Sequence, residues 1–213
     1  MKKIIIYSFI FSLILAIILF GSYILLHKKV SPENNSVKII KNSEIVKNSE
    51  NPGGIFNDDN NIEENKFSGV FINKNTIITV AHGVNTENSN YKIYDNFGNT
   101  YSGKLLKKDN ENDYAFLETN IDFEKFRETK IGKDLKIGEE IYAIIYDEKL
   151  KLSKKIGSIK DINGNKIGVN MIFNPGDSGS PIYNNRDELI GIIEEVDLKN
   201  NIGYFLKISD FKN

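Results

Sequence analysis

From Phe67 onward the chain breaks into short apolar runs separated by Gly, Asn and Asp. "FSGVFIN", "TIITVAHGV", "DYAFLET", "EEIYAIIYD", "KIGVNMIF", "ELIGIIEEV" and "IGYFLKI" are each of strand length and rich in Ile, Val, Tyr and Phe. Several alternate apolar with polar positions, the period of a half-buried strand. Asn163-Gly164, between "SIKDI" and "NKIGV", is a two-residue hairpin signal, and "DNFGN" at Asp95–Asn99 predicts a second, longer turn. Long helical periods are scarce; "IDFEKFRE" offers a short helix or a turn. Many short strands with frequent turns predict an all-β barrel or sandwich over residues 67–213, long enough to bury a core.

The pattern upstream is different. Residues 4–26, "IIIYSFIFSLILAIILFGSYILL", carry no charge. A helix over that run is about 34 Å long, enough to cross a hydrocarbon core of roughly 30 Å. A secretory signal would have a shorter apolar region, about 7–15 residues, ending in small residues. Phe20-Gly21-Ser22 is a poor cleavage site. Residues 1–29 therefore read as a single N-terminal transmembrane helix, a membrane anchor or uncleaved signal. Residues 30–66 hold many Asn, Ser, Lys and Glu, few large apolar residues and no lasting period, and read as a flexible tether. Lys2 and Lys3 precede the span while Lys28, Lys29, Lys38 and Lys41 follow it, so the positive-inside rule does not favour an outside C-terminal domain. The short Met-Lys-Lys start resembles signal anchors whose N-terminus stays inside, and on that resemblance the domain is expected outside the cytoplasm.

Composition narrows the chemistry. Lys+Arg 28 against Asp+Glu 29 gives a net charge of −1, so no global positive field points to nucleic acid. There is no cysteine, which excludes disulfides, a thiolate zinc site and a cysteine nucleophile. No phosphate-binding glycine loop and no cluster of ligand residues appears, so neither a cofactor nor a metal is expected. The histidines are His27 and His82, which leaves His82 alone in the soluble portion.

Three polar residues break their surroundings. His82 ends the run "TIITVAHG"; Asp113 opens "DYAFLE", sharing strand parity with Ala115 and Leu117; Ser178 stands between glycines in "NPGDSGSPIY". Singly, each has an ordinary reading: a satisfied structural histidine, a turn-capping carboxylate, a surface turn. Together they supply what a hydroxyl nucleophile needs. A base must take its proton, imidazole titrates nearest the working range, and a carboxylate can fix the tautomer and stabilise the imidazolium. The flanking glycines let successive N–H groups point into one hollow, where a tetrahedral oxyanion is stabilised.

"TVAHG", "NDYAFLE" and "NPGDSGSPIYN" resemble the His, Asp and Ser motifs of the trypsin-like (chymotrypsin-fold) serine peptidases, bacterial type. The resemblance covers roughly Phe67 to Ile208. It implies two packed six-stranded antiparallel β-barrels, with the site between them, and a serine endopeptidase acting on protein or peptide substrates through a covalent acyl-enzyme. His82, Asp113 and Ser178 would be catalytic, and the N–H groups of Gly176 and Ser178 would form the oxyanion hole. Ile172, six residues before Ser178, would lie at the pocket base, with Phe173 beside it and Glu194 or Glu195 facing the cleft. An uncharged base predicts an apolar residue on the substrate's acyl side. Asp177 matches an acidic residue that in zymogens receives a newly cut N-terminal amine. No Ile-Val-Gly-Gly activation site occurs, so a Lys or Arg side chain is expected to serve Asp177. The alternative use of the same fold is a catalytically silent binding or scaffold module tethered to the membrane.

Overall fold

The computed structural model describes residues 32–41, 66–84, 90–119, 129–146 and 151–208. After a short 3-10 turn, Pro32–Asn35, twelve strands follow. The first six are β1 (Ser36–Lys41), β2 (Lys66–Phe71), β3 (Thr76–Val80), β4 (Asn90–Asp95), β5 (Thr100–Asp109) and β6 (Tyr114–Thr119). They close into an antiparallel barrel in the order β1-β2-β3-β6-β5-β4. The next six are β7 (Glu140–Tyr146), β8 (Leu152–Asn163), β9 (Lys166–Val169), β10 (Pro181–Asn184), β11 (Leu189–Asp197) and β12 (Ile202–Lys207). They close a second barrel in the order β10-β11-β12-β9-β8-β7.

Several strands read as continuous apolar runs because both their faces are buried. On β3, Ile77 packs inside the first barrel, while Ile78 and Val80 face the second. On β6, Ala115 and Leu117 point inward, and Tyr114 and Phe116 outward. On β7, Ile141, Ala143 and Ile145 fill the second barrel, while Tyr142 and Ile144 meet residues of the first. The outward faces merge into one apolar layer containing Val70, Ile78, Phe116, Ile144, Ile192 and Leu206. This layer binds the barrels into one unit, so residues at its edge are held in fixed relation.

The expected tether is overturned at Ser36–Lys41. Those residues form β1, paired with β2 from Ser36↔Val70 to Ile40↔Lys66 and with β4 from Val37↔Asp95 to Lys41↔Tyr91. Val37 and Ile39 are fully buried in the first core. The physical reason is closure: without β1 the facing edges of β2 and β4 would be unpaired. Of the rest of the expected tether, Pro32–Asn35 form the 3-10 turn, Lys66 begins β2, and residues 30–31 and 42–65 lie outside the described residues, as do the apolar span 4–26 and "IDFEKFRE" at 121–128. Among the described residues no helix is long and apolar enough to cross a membrane.

The predicted hairpin occurs one residue later than the sequence signal. Asn163 pairs with Lys166, so the loop is Gly164-Asn165. Gly164 carries a φ of +61°, as the first position of a type II′ turn requires. The turn at Asp95–Asn99 forms as expected: Asp95 Oδ1 accepts the N–H groups of Phe97 and Asn99.

Candidate active site

His82 and Asp113 come from the paired ends of β3 and β6. The ladder runs to Val80↔Tyr114 and is extended by the Ala81 N–H donating to the Asp113 carbonyl at 3.1 Å. Asp113 itself has left the strand, with a φ of +50°. A non-glycine residue there costs about 1–2 kcal/mol, and Asp is one of the few that visit it. In this conformation its carboxylate grips His82 twice. Oδ1 accepts the His82 backbone N–H at 2.8 Å, and Oδ2 lies 2.7 Å from Nδ1. An ionised carboxylate can only accept, so Nδ1 carries the proton and Nε2 is the free base of the neutral ring. The Asp113 hydrogen bond raises the His82 pKa above its ordinary value; burial opposes this, and the charges of Asp113, Glu194 and Glu195 reinforce it.

Ser178 lies on the loop between β9 and β10. Gly176 and Gly179 have φ of +92° and +84°, which glycine adopts freely. At Gly179 space is also decisive, because a Cβ would stand 1.9 Å from the Ser68 carbonyl oxygen. The loop is tied inward by Asp177 N–H to Asn174 O, Ser180 N–H to Asp177 O and Gly179 N–H to Ile193 O, at 2.8–3.0 Å. Across the barrel boundary, Ser68 N–H donates to Ser178 O at 2.7 Å. Among the described residues, no hydrogen bond engages the N–H of Gly176 or of Ser178. The Ser178 hydroxyl donates to the Glu194 carbonyl at 3.3 Å; no hydrogen bond joins it to His82.

Glu194 is where the two halves meet. Its carbonyl faces Ser178, and its carboxylate adds to the field on His82. Of the expected pair, Glu194 is the more enclosed and Glu195 the exposed member, and β11 bulges at this point. Ile193 pairs with Phe205 and Glu195 with Tyr204, leaving Glu194 outside the ladder. A bulge re-aims side chains locally, and both carboxylates reach Lys166: Glu194 at 3.1 Å, and Glu195 closer still.

The expected pocket residues separate. Ile172 is half-buried, and its carbonyl accepts from Lys155 Nζ. Phe173 is 3% exposed and packs in the core of the second barrel. Its position on the inward face leaves its ring no surface for a ligand, which corrects its expected substrate contact.

Sequence reasoning missed Lys38 and Ser68. Lys38 alternates with the inward Val37 and Ile39 and so faces the Ser178 loop. Its Nζ donates to the Gly176 carbonyl at 2.5 Å and lies 3.5 Å from Ser68 Oγ, which donates to the same carbonyl at 3.1 Å. Asp177, 4% exposed, accepts the Asn174 N–H at 2.8 Å. Burial raises its pKa, while the Asn174 hydrogen bond and the charges of Lys155 and Lys38 oppose the rise. Lys155 and Lys38 thus act on Asp177 through their charges, and among the described residues no ion pair joins either of them to it. The signal for Lys38 was the alternation of "SVKII", submerged in a polar stretch. Among the described residues no group of three or more metal-ligating side chains converges.

A family model described as a trypsin-like peptidase domain matches residues 67–192. Solved structures share the architecture. A serine endoprotease from Yersinia pestis superposes with a TM-score of 0.67 at 21% identity, over 85% of this chain and 61% of that one. The Rv3671c protease from M. tuberculosis does so in its active form at 0.67 and 15% identity, over 84% of this chain and 78% of that one. Its inactive form gives 0.64 and 16%, over 84% and 86%. At these identities the likeness speaks to fold, and this chain spans under two thirds of the Yersinia protein's length.

Proposed function

The chain belongs to the trypsin-like peptidase family, and from that premise we propose that it is a serine endopeptidase acting through His82, Asp113 and Ser178. The observation that carries this reading is the two-point grip of Asp113 on His82, which fixes the ring and frees Nε2 as a base. The reading requires Ser178 Oγ to leave the Glu194 carbonyl for the imidazole, and in sites without substrate such catalytic hydrogen bonds are often not yet formed.

Ser178 Oγ then attacks the scissile carbonyl carbon while Nε2 takes its proton. Asp113 accepts from Nδ1 and stabilises the imidazolium. The carbonyl oxygen becomes an oxyanion and receives the idle N–H groups of Gly176 and Ser178. The C–N bond breaks as the imidazolium protonates the departing amine. Water, deprotonated by His82, attacks the acyl-enzyme; its collapse frees the carboxylic acid and restores Ser178. Ile172 supports an apolar pocket for the residue on the acyl side, which a peptide-library profile tests. Residues 4–26 would anchor the enzyme, with the catalytic domain outside the cytoplasm; a membrane-impermeant active-site probe on intact cells tests sidedness.

The test of the nucleophile is covalent labelling. A fluorophosphonate is expected to modify the wild-type chain and leave Ser178→Ala unmodified, with both giving the same far-UV CD spectrum. Labelling that persists in Ser178→Ala places the nucleophile elsewhere.

A further inference from the structure

The geometry points to Lys38 as a positioning residue for catalysis: its ammonium, delivered by β1, holds the Gly176–Asp177 peptide so that the N–H groups on either side converge on the oxyanion. The inference rests on the reading of Ser178 as the nucleophile and assigns the oxyanion turn a support outside its own loop.

Three donors from the first barrel act on this turn. Lys38 Nζ and Ser68 Oγ both reach the Gly176 carbonyl, and Ser68 N–H reaches the Ser178 carbonyl. All seize carbonyl oxygens. The N–H groups left over, those of Gly176 and Ser178, belong to the peptides preceding each residue, and the Gly176–Asp177 peptide lies between them. Gly176 has no Cβ and could turn this peptide over at little steric cost. A largely buried ammonium at 2.5 Å restrains that freedom, because a flip would break a charge-assisted hydrogen bond in a partly buried place. Lys38 is 5% exposed, an unusual position for an ammonium. Asp177, itself buried beside the same peptide, supplies compensating charge. For wall-building alone, an apolar side chain at position 38 would serve as well or better.

The experiment uses the full chain and compares Lys38→Met with Lys38→Arg. In Lys38→Met, kcat on a peptide amide is expected to fall about 100-fold, the scale of losing one oxyanion donor, with KM within about twofold of wild type. Affinity for a peptide aldehyde, whose hemiacetal oxygen occupies the oxyanion hollow, should fall in parallel. Affinity for the same peptide ending in an amide should not. Lys38→Arg, which keeps a cationic donor, should recover at least about tenfold in kcat. Independently of turnover, the amide resonances of Gly176 and Ser178 should shift and broaden in Lys38→Met. An unchanged kcat per folded molecule, or unmoved amides, overturns the inference. Should Lys38→Met not fold, wild-type NMR decides: contacts between the Lys38 ε-protons and the Gly176 α-protons are expected, and their absence overturns it. The amide readout separates this result from that on the nucleophile. A wild-type chain that no fluorophosphonate labels defeats the triad even where the amides respond to Lys38→Met.

Discussion

His82 and Asp113 stand at the ends of two strands that hydrogen-bond each other, whereas Ser178 stands on a loop whose firmest outward ties run to the other barrel. In the first barrel the β3–β6 register, continued by the left-handed backbone at Asp113, brings the imidazole and the carboxylate together. In the second, the loop's Ser178 and Gly176 carbonyls are claimed by Ser68 and Lys38. Base and nucleophile are therefore built with different dependence on long-range structure. The first barrel also closes through β1, from beyond residues 42–65, while the second is assembled from the contiguous stretch between β7 and β12.

The strongest way to break this contrast is to remove β1. A chain begun at residue 67 is expected to lose the first barrel's fold and all labelling of Ser178, whereas a chain begun at residue 32 should keep both. Burial of Val37 and Ile39 is worth about 1.5–3 kcal/mol each, a large share of an ordinary domain stability of about 5–15 kcal/mol. Two strand edges would be opened as well. Thermal unfolding followed by CD measures the first effect and fluorophosphonate labelling the second. A chain begun at 67 that melts and labels as wild type would show that β1 is dispensable.

The same strand marks where the sequence stopped being readable. The motifs around His82, Asp113 and Ser178 were legible because glycines and lone polar groups interrupt apolar runs for reasons local to a few residues. β1 was not: its inward pair, Val37 and Ile39, is a short alternation inside a stretch whose average composition says tether. β5 was missed for a related reason, since seven of its ten positions are polar or glycine and a single position is buried. The bulge at Glu194 was invisible because it is set by pairing with β12 rather than by Glu194 itself. Lys38 could be assigned to Gly176 only once barrel closure had carried it there.

Asp113→Asn acts within the first barrel alone and comes next in size. Asn also tolerates the left-handed backbone, so the fold should survive. The amide can present an N–H to Nδ1 and favour the wrong tautomer, and kcat should fall roughly 10⁴-fold with KM little changed. Steady-state kinetics on a peptide ester would check this. The amides of Gly176 and Ser178 should keep their wild-type shifts, because no hydrogen bond from Asp113 reaches the nucleophile loop. A change in that loop would mean that the two halves are less independent than their hydrogen bonds imply.

Glu194→Gln sharpens the comparison from the opposite side, by testing the second barrel's electrostatic grip on the first barrel's base. His82 is faced by the carboxylates of Asp113, Glu194 and Glu195, and its folded pKa lies above the ordinary 6.5. The imidazolium is thus bound more tightly in the folded chain than in the unfolded one. That contribution to stability is fully present below about 6.5 and lost as pH rises through the raised folded value. Catalysis needs the neutral ring, so the acid limb of kcat/KM should lie above 6.5, in the range where this stabilisation is being lost. Replacing Glu194 removes one negative neighbour and leaves Lys166 to Glu195 alone. Both changes favour the neutral imidazole, and the limb should move to lower pH by less than about one unit. Glu195→Gln should move it less, since that side chain is 56% exposed against 16% for Glu194, and added salt should shrink both shifts. A limb that stays fixed or moves upward would mean that His82 answers to Asp113 alone, and that the second barrel contributes a nucleophile but no field.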